Sequence, residues 1–128
     1  ILYTEVTQPD LMVVMSQLAC HKYGGDLTPE GQLITESELV PDVPVALRDR
    51  ACGEPFTQIA QDRFERAIVA NMVALGYGVG RTDIVRRQSL EQSVRELVPP
   101  GTADLNLAAL AAGRELATSS LPERVPTG

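Results

Sequence analysis

Hydrophobic and polar positions divide the chain into a strand-and-helix first half and a helical second half. Residues 11–15 (LMVVM) are an unbroken apolar run between turn-forming neighbours, the pattern of a strand buried on both faces of a parallel sheet. Ser16 offers an N-cap, residues 17–23 a short helix, and Gly24 with Gly25 its stop. After a turn through Thr28, Pro29, Glu30 and Gly31, residues 32–35 (QLIT) read as a second strand. Strand, helix and strand in that order form a crossover unit of a parallel sheet. Residues 1–8 read as polar and extended, closed by Pro9. Residues 36–54, with prolines and mixed charges, read as a loop holding a short strand at 43–47, after which Thr57 caps a short helix through Arg63.

The chain is organised around residues 67–80 (AIVANMVALGYGVG). Ile68, Met72, Leu75 and Val79 fall on one helical ridge, and Ala70, Ala74 and Gly78 form a second ridge of small side chains. A helix apolar on nearly every side belongs in an interior. Only Asn71 and the Tyr77 hydroxyl interrupt it, and a buried Asn71 requires a hydrogen-bond partner. Arg66 and Arg81 bracket the stretch, with Arg81 set against the negative end of the helix dipole. Gly76, Gly78 and Gly80 read G-x-G-x-G, but a phosphate loop follows a strand and opens a helix. These glycines close a helix, so close helix packing is the favoured reading. Beyond a connector at 82–87, Ser89 and Gln92 match a capping box, opening a helix with Leu90, Val94, Leu97 and Val98 on one face. Pro99 and Pro100 end it. A last helix runs from Thr102 or Asp104 to about Ala117, with Leu105, Ala108, Ala109, Ala112 and Leu116 inward; residues 118–128 read as a flexible tail.

Composition narrows the function by exclusion. The formal charge of -6 argues against a nucleic-acid partner, which requires a basic face. No apolar run approaches the length that crosses a bilayer, so a cytoplasmic protein without a membrane partner is expected. Cys20 and Cys52 lie far apart without a C-x-x-C, and two ordinary thiols are expected rather than a zinc or iron–sulfur site. His21 is the only histidine, so no Ser-His-Asp set can be built and no catalytic residue or metal ligand is assigned. Ser16 and Gln17 hold the best position for an outside partner, because open α/β sheets bind ligands at the carboxyl ends of their strands. The same argument applies with less force to Glu36 and Ser37 after the second strand. Beside each stands a plainer reading: Ser16 as a helix cap, Gln17 as a first-turn residue, Asn71 as a side chain bonded to nearby backbone.

Several stretches together resemble a known family. They are PDLMVVMSQ at 9–17, Lys22-Tyr23, DLTPEGQLI at 26–34, GEPFTQIA at 53–60, ANMVALG at 70–76, SLE at 89–91, VPPGT at 98–102 and LNLAALAAG at 105–113. In sequence and in order they are similar to the gamma domain of the 2-oxoacid:ferredoxin oxidoreductases, the pyruvate/ketoisovalerate/2-oxoglutarate group, from Glu5 to Leu116. The resemblance implies an α/β, Rossmann-like three-layer domain with a parallel sheet and a helical C-terminal half, occupying residues 1–117. It implies a non-catalytic subunit or domain of an enzyme that decarboxylates a 2-oxoacid, releases an acyl-coenzyme A and reduces ferredoxin. Thiamine diphosphate, Mg and iron–sulfur clusters would be held by thiamine-binding alpha and beta partners, none by this chain alone. Ser16, Gln17 and Asn71 would face coenzyme A or a subunit interface. Among the oxoacids 2-oxoglutarate is slightly preferred. The family's G-x-G-G-Q-G turn has no counterpart, and the chain opens at Ile1 close to a buried strand, so an N-terminally truncated domain is expected. The alternative is a free-standing Rossmann-like nucleotide-binding module, which would require that glycine-rich turn directly after a strand.

Overall fold

Alternation along three short strands decides how the layers stack. In the computed structural model, which describes residues 10–82 and 87–120, β1 (Leu11–Val14), β2 (Gln32–Glu36) and β3 (Ala51–Glu54) form a parallel sheet in the order β1-β2-β3. Leu11 pairs with Gln32 and Val14 with Thr35, while Leu33 pairs with Ala51 and Glu36 with Glu54. Side chains of a strand alternate between faces. Met12, Val14 and Leu33 accordingly join one core with Ala19 and Cys20 of α1 (Gln17–Tyr23), together with Leu27, Val40 and Leu47. Val13 and Ile34 join the other, with Phe56 and Ala60 of α2 (Phe56–Phe64) and with α3 (Ala70–Thr82). The result is the expected α/β domain, with helices on both faces of a parallel sheet.

The central helix is apolar all round because it is covered on two sides. Gly78 faces the sheet, where a Cβ would lie 3.2 Å from Leu11 and 3.3 Å from Ile34. Half a turn away, Gly76 and Gly80 face α5 (Ala103–Ser120): a Cβ on Gly76 would lie 2.0 Å from the Leu110 carbonyl oxygen, and one on Gly80 2.9 Å from the Ala117 Cβ. From the other helix, Gly113 meets the Val73 carbonyl in the same way, at 1.9 Å. The close-packing reading of G-x-G-x-G therefore holds. Tyr77 completes the layer, its ring edge-on to Phe56 with centroids 5.3 Å apart, and Arg81 sets its guanidinium over the Tyr77 ring. The outermost helix, α4 (Arg87–Leu97), rests on α5.

Several expectations need correction. Residues 67–69 are a 3-10 turn, and the α-helix starts at Ala70. The change of pitch breaks the ridge, and Ile68 is 84% exposed. Residues 43–47 are not a strand: a 3-10 helix runs over Val45–Arg50, and the third strand is Ala51–Glu54. Thr57 does not cap α2, which begins one residue earlier, at Phe56. The backbone is already helical at Arg87, which puts Ser89 inside α4 and not at its N-cap. On α4 Val94 is buried, but Leu97 is 82% exposed. On α5 Ala109, Ala112 and Ala117 face inward and Ala108 outward. This helix runs through Ser120, past the start of the expected tail. The extended reading of residues 1–8, the connector at 83–86 and the tail at 121–128 lie outside the described residues.

Glycine at the α3–α5 crossing should therefore be irreplaceable. Gly76→Ala and Gly113→Ala are each expected to destabilise the chain by about 2–3 kcal/mol, as overpacking does, read as a lower urea midpoint. Gly25→Ala, which meets nothing within 4 Å, should leave the midpoint unchanged or raise it.

Candidate functional site

The carboxyl edge of the sheet is built by side chains that bond back to the chain itself. Ser16 follows β1 in extended conformation, and its Oγ accepts the Ala19 backbone N–H at 3.1 Å, the capping bond expected of it. Gln17 reaches across to the loop after β2. Its Nε2 donates to the Asp42 carbonyl at 2.6 Å and its Oε1 accepts the Asp42 N–H at 3.0 Å, pairing with that peptide as a neighbouring strand would. The Gln17 Nε2 also lies 3.0 Å from His21 Nε2.

Glu36, the lesser strand-end candidate, turns inward to serve the fold. It ends β2 with its side chain fully buried. Its carboxylate accepts the Glu38 N–H through Oε1 at 2.8 Å and the Thr57 N–H through Oε2 at 2.7 Å. The second bond supplies the cap that α2 lacks locally, since its own N-cap residue is Pro55 and makes no side-chain bond. A negative group at a helix N-terminus is also favoured by the helix dipole. The strand end and the start of α2 are thereby held by one carboxylate.

Asn71 belongs to the same edge but to the other layer. Gly78 lies against Leu11, the first residue of β1, and Arg81 and Thr82 at the end of α3 line a hollow with Asp10 and Gln32, where β1 and β2 begin, so α3 runs antiparallel to the strands. Two turns back along the same face, about 10 Å, Asn71 reaches the level where the strands end. Nothing covers it there: Asn71 is exposed, against the expectation of a buried side chain, and no hydrogen bond from its amide is found among the described residues. The sheet stands between Asn71 on one side and Ser16 with Gln17 on the other. Of the three predicted residues, only Ser16 and Gln17 are brought together.

Metal chemistry finds no foothold in this arrangement. No group of three or more His, Cys, Asp or Glu side chains gathers among the described residues. Cys20 and Cys52 are free thiols in the cores on opposite faces of the sheet. Burial, and then the Asp42 carboxylate, push the Cys20 thiol up from its ordinary value, which keeps it protonated and unsuited to ligate a metal. These residues do not fit an iron–sulfur cluster. At the opposite edge, Asp10, Glu30, Gln32, Arg81 and Thr82 outline an open polar hollow of about 620 Å³ that includes none of the predicted site residues. No described helix is long and apolar enough to cross a membrane.

Comparison with known proteins decides the family. The pyruvate ferredoxin/flavodoxin oxidoreductase family matches residues 1–116. The chain belongs to this family. Among its relatives, the chain is similar to the 2-oxoglutarate synthase subunit KorC of Methanocaldococcus jannaschii, 36% identical over 120 residues that make up 90% of this chain and 62% of that protein. The KorC subunit of Methanothermobacter thermautotrophicus is 37% identical over 119 residues, 89% of this chain and 63% of the other. In structure the chain is similar to the gamma subunit of a keto/oxoacid ferredoxin oxidoreductase from Geobacter sulfurreducens PCA, with a TM-score of 0.76 and 33% identity over 87% of this chain and 65% of that one. The chain thus spans a little under two thirds of the length of each of these three relatives. Within the pyruvate ferredoxin/flavodoxin oxidoreductase family, the resemblance read from the sequence and the α/β fold read from its patterns agree with these findings.

What local motifs could not reveal is the structural role of Glu36, whose bonding partner Thr57 lies 21 residues away. Its one sequence signal is a carboxylate closing an apolar strand. In the family domain, Glu36→Gln puts an NH2 group against one of two backbone N–H donors and is expected to cost about 1.5–3 kcal/mol, measured by urea unfolding of the full-length chain. Glu38→Gln, at an exposed position, should stay within about 0.5 kcal/mol of the parent.

Proposed function

We propose that the chain serves as the gamma subunit or domain of a thiamine-dependent 2-oxoacid:ferredoxin oxidoreductase, without catalytic residues of its own. The observation that carries this reading is its likeness, in fold and at 33% identity, to a keto/oxoacid ferredoxin oxidoreductase gamma subunit. The KorC relatives are 2-oxoglutarate synthase subunits, which supports 2-oxoglutarate as the oxoacid. The implied thiamine diphosphate, Mg and iron–sulfur clusters belong to partner subunits in this reading, as do decarboxylation and electron transfer to ferredoxin. Cytoplasmic location follows from the same assignment.

The test is retrieval of activity. A tagged full-length chain expressed in its own cells is expected to bring down thiamine-binding subunits with coenzyme A-dependent oxidation of 2-oxoglutarate, and to have no such activity when purified alone. Turnover by the chain alone, or a fully active enzyme that lacks it, overturns the reading.

Ser16, Gln17 and Asn71 remain the proposed contacts to coenzyme A or to a partner subunit, and they are unequal. The first two are engaged within the chain, whereas Asn71 is exposed. Asn71→Ala should leave stability within about 0.5 kcal/mol, as exposed substitutions do. In the assembled enzyme it should raise the coenzyme A KM severalfold if it touches the cofactor, or lower the yield of complex if it touches a subunit. No change in either measurement removes Asn71 from both roles.

A further inference from the structure

The amino edge of the sheet holds an arginine that its surroundings leave unmatched. Arg81, in the last turn of α3, lays its guanidinium over the Tyr77 ring, 5.6 Å from the ring centre. The stack steadies the planar group, yet its Nε–H is buried without an acceptor. Asp10 and Glu30 line the same open hollow of about 620 Å³, but neither pairs with it: the ion pairs among the described residues are Arg48–Asp42 and Arg63–Glu115. Asp10 instead accepts the Thr28 hydroxyl at 3.0 Å. A buried donor without an acceptor is costly, and a guanidinium held in one plane with donors to spare is a fork for a carboxylate.

We propose that this hollow binds a neutral α-amino acid as its zwitterion. The ligand carboxylate takes the Arg81 fork and supplies the acceptor that Nε lacks, while the ligand ammonium lies toward Asp10 and Glu30. The balance of charge selects this class. A simple anion satisfies Arg81 but meets two carboxylates across the hollow, and a simple cation satisfies the carboxylates but leaves the Nε donor orphaned. A ligand with both charges one carbon apart meets both needs. A second carboxylate on the ligand, as in an acidic amino acid, restores the repulsion. Gln32 and Thr82 complete the lining with uncharged polar groups. The Thr82 hydroxyl donates to the Gly78 carbonyl at 2.8 Å, so its oxygen can only accept from the hollow. Such a lining suits an amide side chain and makes L-glutamine the probe. The inference uses none of the residues at the carboxyl edge and does not rest on the function proposed above.

The experiment is calorimetric titration of the full-length chain. L-Glutamine is expected to bind with a Kd below about 1 mM. Glutaramate, which lacks the ammonium, 4-aminobutanamide, which lacks the carboxylate, and L-glutamate should each bind at least about tenfold more weakly. Arg81→Lys keeps the charge without the fork and should weaken L-glutamine at least about tenfold. Glu30→Gln, at an exposed position, should keep the fold and narrow the preference for L-glutamine over glutaramate severalfold. No binding of L-glutamine, equal binding of any of the three analogues, an unchanged Kd in Arg81→Lys, or an unchanged preference in Glu30→Gln overturns the site.

Discussion

The architecture depends on how closely α3 and α5 approach. At Gly76 and Gly113 each helix presents bare backbone to the other, with a carbonyl oxygen where a side chain would begin. Such an approach leaves no room for water or for rotamer adjustment, and packed interiors of this kind respond to a single added carbon. Because α5 lies so near, α3 can be covered on one side by the sheet and on the other by a helix. Its composition follows: Ala70, Ala74 and Gly78 keep it low against the strands, and Val73, Gly76 and Gly80 turn toward α5. The helical second half of the chain is fastened to the sheet through this one element, and α4 reaches the domain through α5.

That much was legible in the sequence. An element apolar on every side has to be sandwiched, and its glycines have to serve packing when they close a helix instead of following a strand. What periodicity could not supply was the partner of each ridge, or the place where a ridge runs out. Asn71 shares a face with Gly78, yet the strands under Gly78 end before Asn71, so the same face is buried at one end and open at the other. Ile68 fails for a different reason, since a 3-10 turn before Ala70 shifts the phase on which a helical ridge is counted. Strand β3 was invisible because ACGE carries little strand preference of its own; the open edge of β2 supplies its pairing. Residues 43–47, with two valines, look more like a strand but hold a proline and only one buried side chain, Leu47.

The carboxyl edge of the sheet shows the same division between what is local and what is not. The Ser16 cap could be read from four consecutive residues, because donor and acceptor lie within one helical turn. The Gln17–Asp42 pairing joins residues 25 apart and the Glu36–Thr57 bond residues 21 apart, so neither leaves a local pattern. Both are cross-links between the end of one strand and the start of another element. They explain why a segment lacking regular structure, between β2 and the 3-10 helix at Val45, keeps a defined path over the edge: Val40 is anchored in the core and Asp42 is held by Gln17.

Availability, more than position, then separates the candidate residues. A strand end is where α/β folds bind their ligands, but a polar side chain already matched to backbone within its own fold offers a ligand little, because taking it away leaves the abandoned group unsatisfied at a cost of about 1–3 kcal/mol when buried. Glu36, fully buried and bonded to two amides, is removed from ligand binding on that ground. Ser16 and Gln17 are engaged in the same way with more exposure. Asn71 differs: it sits at the same edge, is exposed, and has an amide with no bond to the described residues. A strand edge whose polar groups are turned inward holds its own shape, and its outward chemistry narrows to the few side chains that the fold leaves unmatched.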